Sequence, residues 1–133
     1  MAQHTGTKAN VFPSLRYKNG AAAIDWLAKA FGFEKHFVVP GPGSAIAHAQ
    51  LTIGSGMIML GSGGDAAGGN PWDDVRQGIY VQVQDVDAHY ARAKAAGAEI
   101  VRELADTDYG SREYSVRDPE GHLWSFGTYD PWK

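Results

Sequence analysis

The chain has no cysteine among its 133 residues. That absence excludes a disulfide framework, a thiolate zinc site, an iron–sulfur cluster and a cysteine nucleophile, and it suits a reducing cytoplasm. Positive charge is also short: 12 Lys+Arg stand against 15 Asp+Glu, a formal net charge of -3. With no global field to attract phosphate backbones or anionic lipid, neither nucleic acid nor a membrane surface is an expected partner. No apolar run approaches the roughly 18 residues a membrane-spanning helix needs, and the opening MAQHTGTKAN lacks the apolar stretch of a signal peptide.

What is present suits an ordinary globular domain. The sequence is 44% hydrophobic and 20% charged, enough apolar material for a core and too much for a disordered chain. Residues 1–9 read as a loose tail carrying His4, and residues 10–130 as one domain. In its first part, residues 10–60, Leu15 and Tyr17 alternate with Ser14 and Arg16 as on a half-buried strand. Asn19 can cap a helix whose Ile24, Leu27, Ala28 and Phe31 recur at helical spacing, with Gly32 where the chain turns out. Strands EKHFVV, AIAHAQLTI and MIML follow, separated by GPGS and GSG.

Residues 61–77 begin with GSGGDAAGGNP, a stretch with little side chain to pack, which reads as a linker or flap. Gly61–Ala66 fits the pattern G-x-G-x-x-A. The βαβ context and the helix N-terminus that make that pattern a dinucleotide site are missing, so no cofactor is expected there. From residue 78 to residue 130 the order strand, helix, three strands recurs, through GIYVQVQ, the helix after Asp85, AEIVREL, REYSVR, the turn DPEG and HLWSFGTY. Gly32 and Gly97, and Gly56 and Gly121, are each 65 residues apart, so the halves read as an internal repeat. Neither half is large enough to bury much surface alone.

DVDAHYARAKAAGAEIV (residues 85–101), YGSREYSVRDPEGHLWSF (109–126) and LRYKNGAAAIDWLAKAFGFEK (15–35) resemble the vicinal oxygen chelate superfamily, which includes glyoxalase I, extradiol dioxygenases, and fosfomycin and bleomycin resistance proteins. The resemblance spans Asn10 to Tyr129. It implies an α+β fold in which two βαβββ modules form a cup-shaped mixed sheet with a ligand or metal inside, and a homodimer.

Metal-dependent members of that superfamily place one ligand on the first and one on the last strand of each module. Carried over, those positions fall on Phe12, Gly78 and Ser125, with Met59 or Leu60 as the fourth. None offers the carboxylate or imidazole that divalent cations require, so the resemblance here implies no metal.

Strand alternation puts Ser14, Arg16, Tyr80 and Gln82 on one face, and likewise His48, Gln50 and Thr52, and Glu113, Ser115 and Ser125. Such alternation also describes any sheet with one wet face; the superfamily resemblance favours a pocket. The expected ligand-contacting residues are Phe12, Arg16, His48, Gln50, Trp72, Tyr80, Gln82, Glu113 and Ser125. Trp72 either closes over a ligand or packs its own loop. Among the histidines, His48 is the candidate base, with a structural role as its alternative. His122 is expected to cap a turn or face solvent, His36 to lie near a sheet edge, and His89 to ride a helix.

Three functions follow. The first is a metal-free cytoplasmic protein that holds a small organic ligand by burial and hydrogen bonding. The second is a lyase, isomerase or dioxygenase that uses shifted metal ligands, or acid–base chemistry by His48, Glu113 or Tyr80. The third is a module whose hollow is filled by its own Phe12, Met59 and Tyr80. The identity of any ligand is not legible in the residues.

Overall fold

A computed structural model of the chain describes residues 11–63 and 71–132. The expected tail 1–9 and Gly64–Ala66 of the glycine pattern lie outside the described residues. The elements are β1 (Ser14–Tyr17), α1 (Gly20–Phe31), β2 (Glu34–Pro40), β3 (Ile46–Ile53) and β4 (Gly56–Ser62), then a 3-10 turn (Pro71–Asp74), then β5 (Gly78–Gln82), α2 (Val86–Ala95), β6 (Glu99–Asp106), β7 (Arg112–Arg117) and β8 (Leu123–Gly127). The fold is the α+β arrangement of two βαβββ modules. None of the described helices is long and apolar enough to cross a membrane.

The chain divides into two compact units. One runs up to Ala28 and resumes over Gly32–Val75; the other takes Lys29–Phe31 and everything from Arg76 onward. In the first unit the strand order is β1-β4-β3-β2, with β1 and β4 parallel and the remaining neighbours antiparallel. Leu15, Tyr17, Ala49, Leu51, Ile58 and Leu60 are buried on one face of that sheet. Burial of each large side chain contributes about 1.5–3 kcal/mol. Asn19 caps α1, its side-chain oxygen accepting from the Ala22 N–H at 3.0 Å. Gly32 ends the helix in the left-handed region at φ 87°, where a Cβ would be strained.

The second unit has the order β5-β8-β7-β6 with the same pattern of directions. Tyr114, Val116, Trp124 and Phe126 are buried on one face, and α2 lies against β6 and β7. Asp85 caps α2 through the Ala88 N–H. Phe31 joins this core, its ring tilted against those of Phe126 and Trp124 with centroids 4.6 and 5.2 Å away.

Two features differ from the sequence reading. Gly61 and Ser62, placed in the linker, belong to β4, because parallel pairing with Arg16 and Tyr17 claims their backbone. A Cβ on Gly61 would lie 3.1 Å from the Ala47 carbonyl oxygen, so close approach of neighbouring strands, not looseness, explains that glycine. The linker also contains the 3-10 turn at Pro71–Asp74. The repeat, moreover, does not keep one offset. Ser14 pairs with Met59 and Tyr80 with Ser125, counterparts 66 residues apart.

Candidate functional site

Each sheet has a second face, opposite its buried one, and the polar residues gather there. In the first unit one row crosses all four strands as Ser14, Met59, Gln50 and Phe37. His48 stands one pair further along β3, its Nε2 2.9 Å from Gln50 Oε1, and the Phe37 ring meets the imidazole edge-on at 6.4 Å. Gln50 in turn donates to the Met57 sulfur at 3.6 Å. Arg16 donates to the Ser62 carbonyl at 3.2 Å and lies 3.8 Å from Asp73. Phe12 precedes β1 and is partly exposed, and Trp72, on the 3-10 turn, is exposed.

In the second unit the rows are Tyr80, Ser125, Ser115 and Arg102, then Gln82, Gly127, Glu113 and Ala105. The Ser115 and Ser125 hydroxyls are 2.6 Å apart. Glu113 is only 6% exposed. Its Oε1 accepts from Arg102 Nη2 at 2.6 Å and from the Tyr109 hydroxyl at 2.8 Å. The Tyr80 hydroxyl donates to the Tyr129 carbonyl at 2.6 Å. Beside this group a cavity of about 320 Å³ opens, lined by Arg102, Glu103, Thr107, Asp108, Tyr109 and Glu113 among others.

The electrostatics decide what these groups can do. Burial opposes ionisation of Glu113, but hydrogen bonds from Arg102, Tyr109 and Ser111 and the guanidinium charge outweigh it, so its pKa lies below the ordinary value. Glu113 is therefore a carboxylate at neutral pH and a poor proton donor. Burial, and then the Glu113 charge, push Tyr80 up; the hydrogen bond to Glu113 pushes Tyr109 up. Both tyrosines stay neutral phenols, so Tyr80 does not serve as a phenolate base. The base-and-acid pair of His48 and Glu113 is not supported by the contacts of either: His48 bonds Gln50, and Glu113 bonds Arg102 and Tyr109.

Sheet register also shows which residue of the first unit corresponds to Ser125. Met59 is the counterpart of Ser125, each being the register partner of a first-strand residue, Ser14 and Tyr80 respectively, whereas Leu60 is buried on the other face. Phe12, Met59, Gly78 and Ser125 supply a thioether and a hydroxyl but no carboxylate or imidazole, and the Ser125 hydroxyl already bonds Ser115. This donor set does not fit a divalent cation. Among the described residues no group of three His, Asp or Glu side chains is placed to hold one.

Among the other described histidines, His122 and His89 are structural. His122 neither faces solvent nor sits at the surface: it is fully buried and its Nδ1 accepts from the Gln77 N–H at 2.9 Å. His89 does more than ride its helix, bonding the Phe31 carbonyl at 2.8 Å and the Tyr114 hydroxyl at 2.6 Å. His36 is exposed on edge strand β2, as expected.

Arg102, Tyr109 and Tyr129 are the site residues that the sequence reading missed. Strict alternation from Ile100, which pairs with Val116 on the buried face, would send Arg102 to that same face. A register shift between Ile100 and Arg102 pairs Arg102 with Ser115 instead and carries it to Glu113. Tyr109 lies in the β6–β7 turn, where no periodicity marks it.

Comparison with known proteins agrees with this architecture. The sequence model of the Glyoxalase/Bleomycin resistance protein/Dioxygenase superfamily matches residues 4–126. The chain is 38% identical over 121 residues to the uncharacterized protein Mb0911c of Mycobacterium bovis, covering 86% of this chain and 80% of that one. Among solved structures, TioX from Micromonospora sp. ML1 is 38% identical with a TM-score of 0.77, covering 90% of this chain and 97% of TioX. The fosfomycin resistance protein FosX of Listeria monocytogenes, 18% identical with a TM-score of 0.69 over 94% of this chain and 96% of its own, shares the fold.

Proposed function

The chain belongs to the glyoxalase/bleomycin resistance protein/dioxygenase superfamily, and from that membership we propose that it binds a small organic molecule without a metal and without changing its bonds. The observation that carries this reading is the hydrogen-bonded polar face of the second sheet, where Glu113, Arg102, Tyr109, Tyr80, Ser115 and Ser125 converge beside an open cavity. Convergent polar groups bordering a concavity are the usual furniture of a small-molecule site. The donors at the superfamily's metal positions supply a further reason, since they suit no divalent cation. Binding would rest on burial against the tyrosine rings and on hydrogen bonds to groups already ordered in the free protein, which lowers the entropic cost of capture.

The same reading takes the protein to be a cytoplasmic homodimer. The absence of cysteine supports the compartment. The exposed apolar run Phe37, Val38 and Val39 on edge strand β2 supports a covering partner.

The test is protein purified without chelators, divided between elemental analysis and mass spectrometry of its organic extract. The expected result is substoichiometric metal together with a retained or saturable organic ligand. Stoichiometric metal that disappears in His48→Ala would overturn the reading in favour of a metal-dependent lyase, isomerase or dioxygenase.

A further inference from the structure

We propose that the cavity at the β6–β7 end of the second sheet selects an organic cation, an amine carried on an aromatic ring, with Glu113 as its counter-ion and Tyr109 as its stacking surface. This inference rests on the binding function proposed above and names the ligand class for that site.

Four observations lead there, all within the second unit. First, Glu113 is a carboxylate only 6% exposed, and a buried charge is tolerated only where something compensates it. Arg102 and Tyr109 both bond its Oε1 and Ser111 supplies a third hydrogen bond, while the two oxygens of a carboxylate offer about four acceptor sites, so room for one further donor remains. Second, the chain's own cation already occupies this carboxylate. The half-exposed Arg102 guanidinium meets Oε1 at 2.6 Å, an internal demonstration of which charge the group accepts.

Third, aromatic faces gather around it. Tyr109 and Tyr129 meet edge to face at 6.1 Å, and Tyr129 and Tyr80 lie 6.4 Å apart. Tyr109 and Tyr129 are both exposed, and the Tyr109 hydroxyl is anchored on Glu113. A cation over such a ring, beside a carboxylate, gains from the ring quadrupole as well as from the charge. Fourth, the rest of the lining is acidic: Glu103, Asp106 and Asp108 accompany Glu113, against Arg102 alone. Asp106 is paired with Arg112 and Glu113 with Arg102, whereas Glu103 accepts from the neutral Tyr90 hydroxyl, so Glu103 and Asp108 keep the mouth negative. The volume of about 320 Å³ is near the lower end for ligand pockets, enough for one ring and a short amine arm.

The test uses three probes of nearly equal size on the intact protein: phenethylamine, phenethyl alcohol and phenylacetate, each titrated while backbone amide NMR signals are followed. Phenethylamine is expected to saturate with shifts at Tyr109, Glu113 and Gly127, at least tenfold tighter than the alcohol, with phenylacetate silent. Glu113→Gln is expected to remove that tenfold preference. Tyr109→Ala, at an exposed position where folding is not at stake, is expected to weaken the amine several-fold and provides the check if Glu113→Gln does not fold. Equal binding of the three probes, or a preference for phenylacetate through Arg102, overturns the cation assignment and leaves small-molecule binding standing. No saturation by any probe at these amides overturns both.

Discussion

Gly127 on β8 stands directly opposite Glu113 on β7, and a Cβ at Gly127 would come within 2.5 Å of Glu113 Cγ and 3.0 Å of the Tyr80 hydroxyl. The glycine is the space into which the carboxylate and the phenol lean. Gly127→Ala should therefore displace Glu113 from Arg102 and Tyr109 and destabilise the fold by about 1–3 kcal/mol, the usual range for overpacking. Chemical denaturation monitored by tryptophan fluorescence checks this; a stability equal to wild type would mean that Glu113 moves aside freely.

Glu113 also gives an acid-side signature. Its pKa lies below the ordinary value in the folded protein, so the unfolded chain takes up the proton first as pH falls. The stabilisation is complete above the unfolded value, near 4.5, and is lost progressively as pH drops through the lower folded value. Glu113→Gln should flatten this part of the stability curve. Parallel pH titrations of the denaturation midpoint, wild type against variant, measure the difference, and superimposable slopes below pH 4.5 would count against it.

His89 acts in a different window. Burial, with the Arg92 charge adding to it, lowers its pKa from 6.5 despite the hydrogen bond to Phe31. The neutral ring is the folded form: it bonds both the Phe31 carbonyl and the Tyr114 hydroxyl, and its centroid lies 4.3 Å from that of Phe126. Its contribution is full above pH 6.5 and falls as pH drops below that value toward the folded pKa. His89→Gln should be less stable than wild type at pH 8 but should lose less stability between pH 7 and pH 5, a window set by the ordinary imidazole value. Thermal melts at the two pH limits decide it.

Asp118 holds the turn between β7 and β8. Its Oδ1 accepts from the Glu120 and His122 N–H groups and its Oδ2 from Trp124 Nε1, in a position only 2% exposed. Asp118→Asn turns one acceptor into a donor facing another donor, which should cost about 1–3 kcal/mol. A shift in Trp124 emission accompanying the loss would tie the effect to this hydrogen bond; an unchanged midpoint would show that the turn stands without it.

Much of this architecture could be read from pattern alone. Asn19, Asp85, Gly32 and Gly97 marked the helix ends because capping and left-handed turns need those residue types. Leu15 with Tyr17, and Tyr114 with Val116, marked buried faces because strands alternate. Tyr80, Ser125 and Glu113 fell on one face for the same reason. Where periodicity fails, the reading failed with it. Arg102 follows a register shift, Tyr109 sits in a turn, and the burial of His122 depends on the Gln77 backbone, 45 residues away in sequence. Gly61 misled through composition: it looked like linker but serves close packing between strands.

The two register shifts in β6, one before and one after Arg102, mean that the guanidinium owes its position to extra backbone and not to the identity of its neighbours. Without the first shift the same sequence would set Arg102 opposite Tyr114 on the buried face, whereas deleting the extra residue Val101 would restore plain alternation and keep the arginine opposite Ser115. A relative one residue shorter here could thus carry the same positive arm on a regular strand, so a length difference at this edge need not alter the pocket.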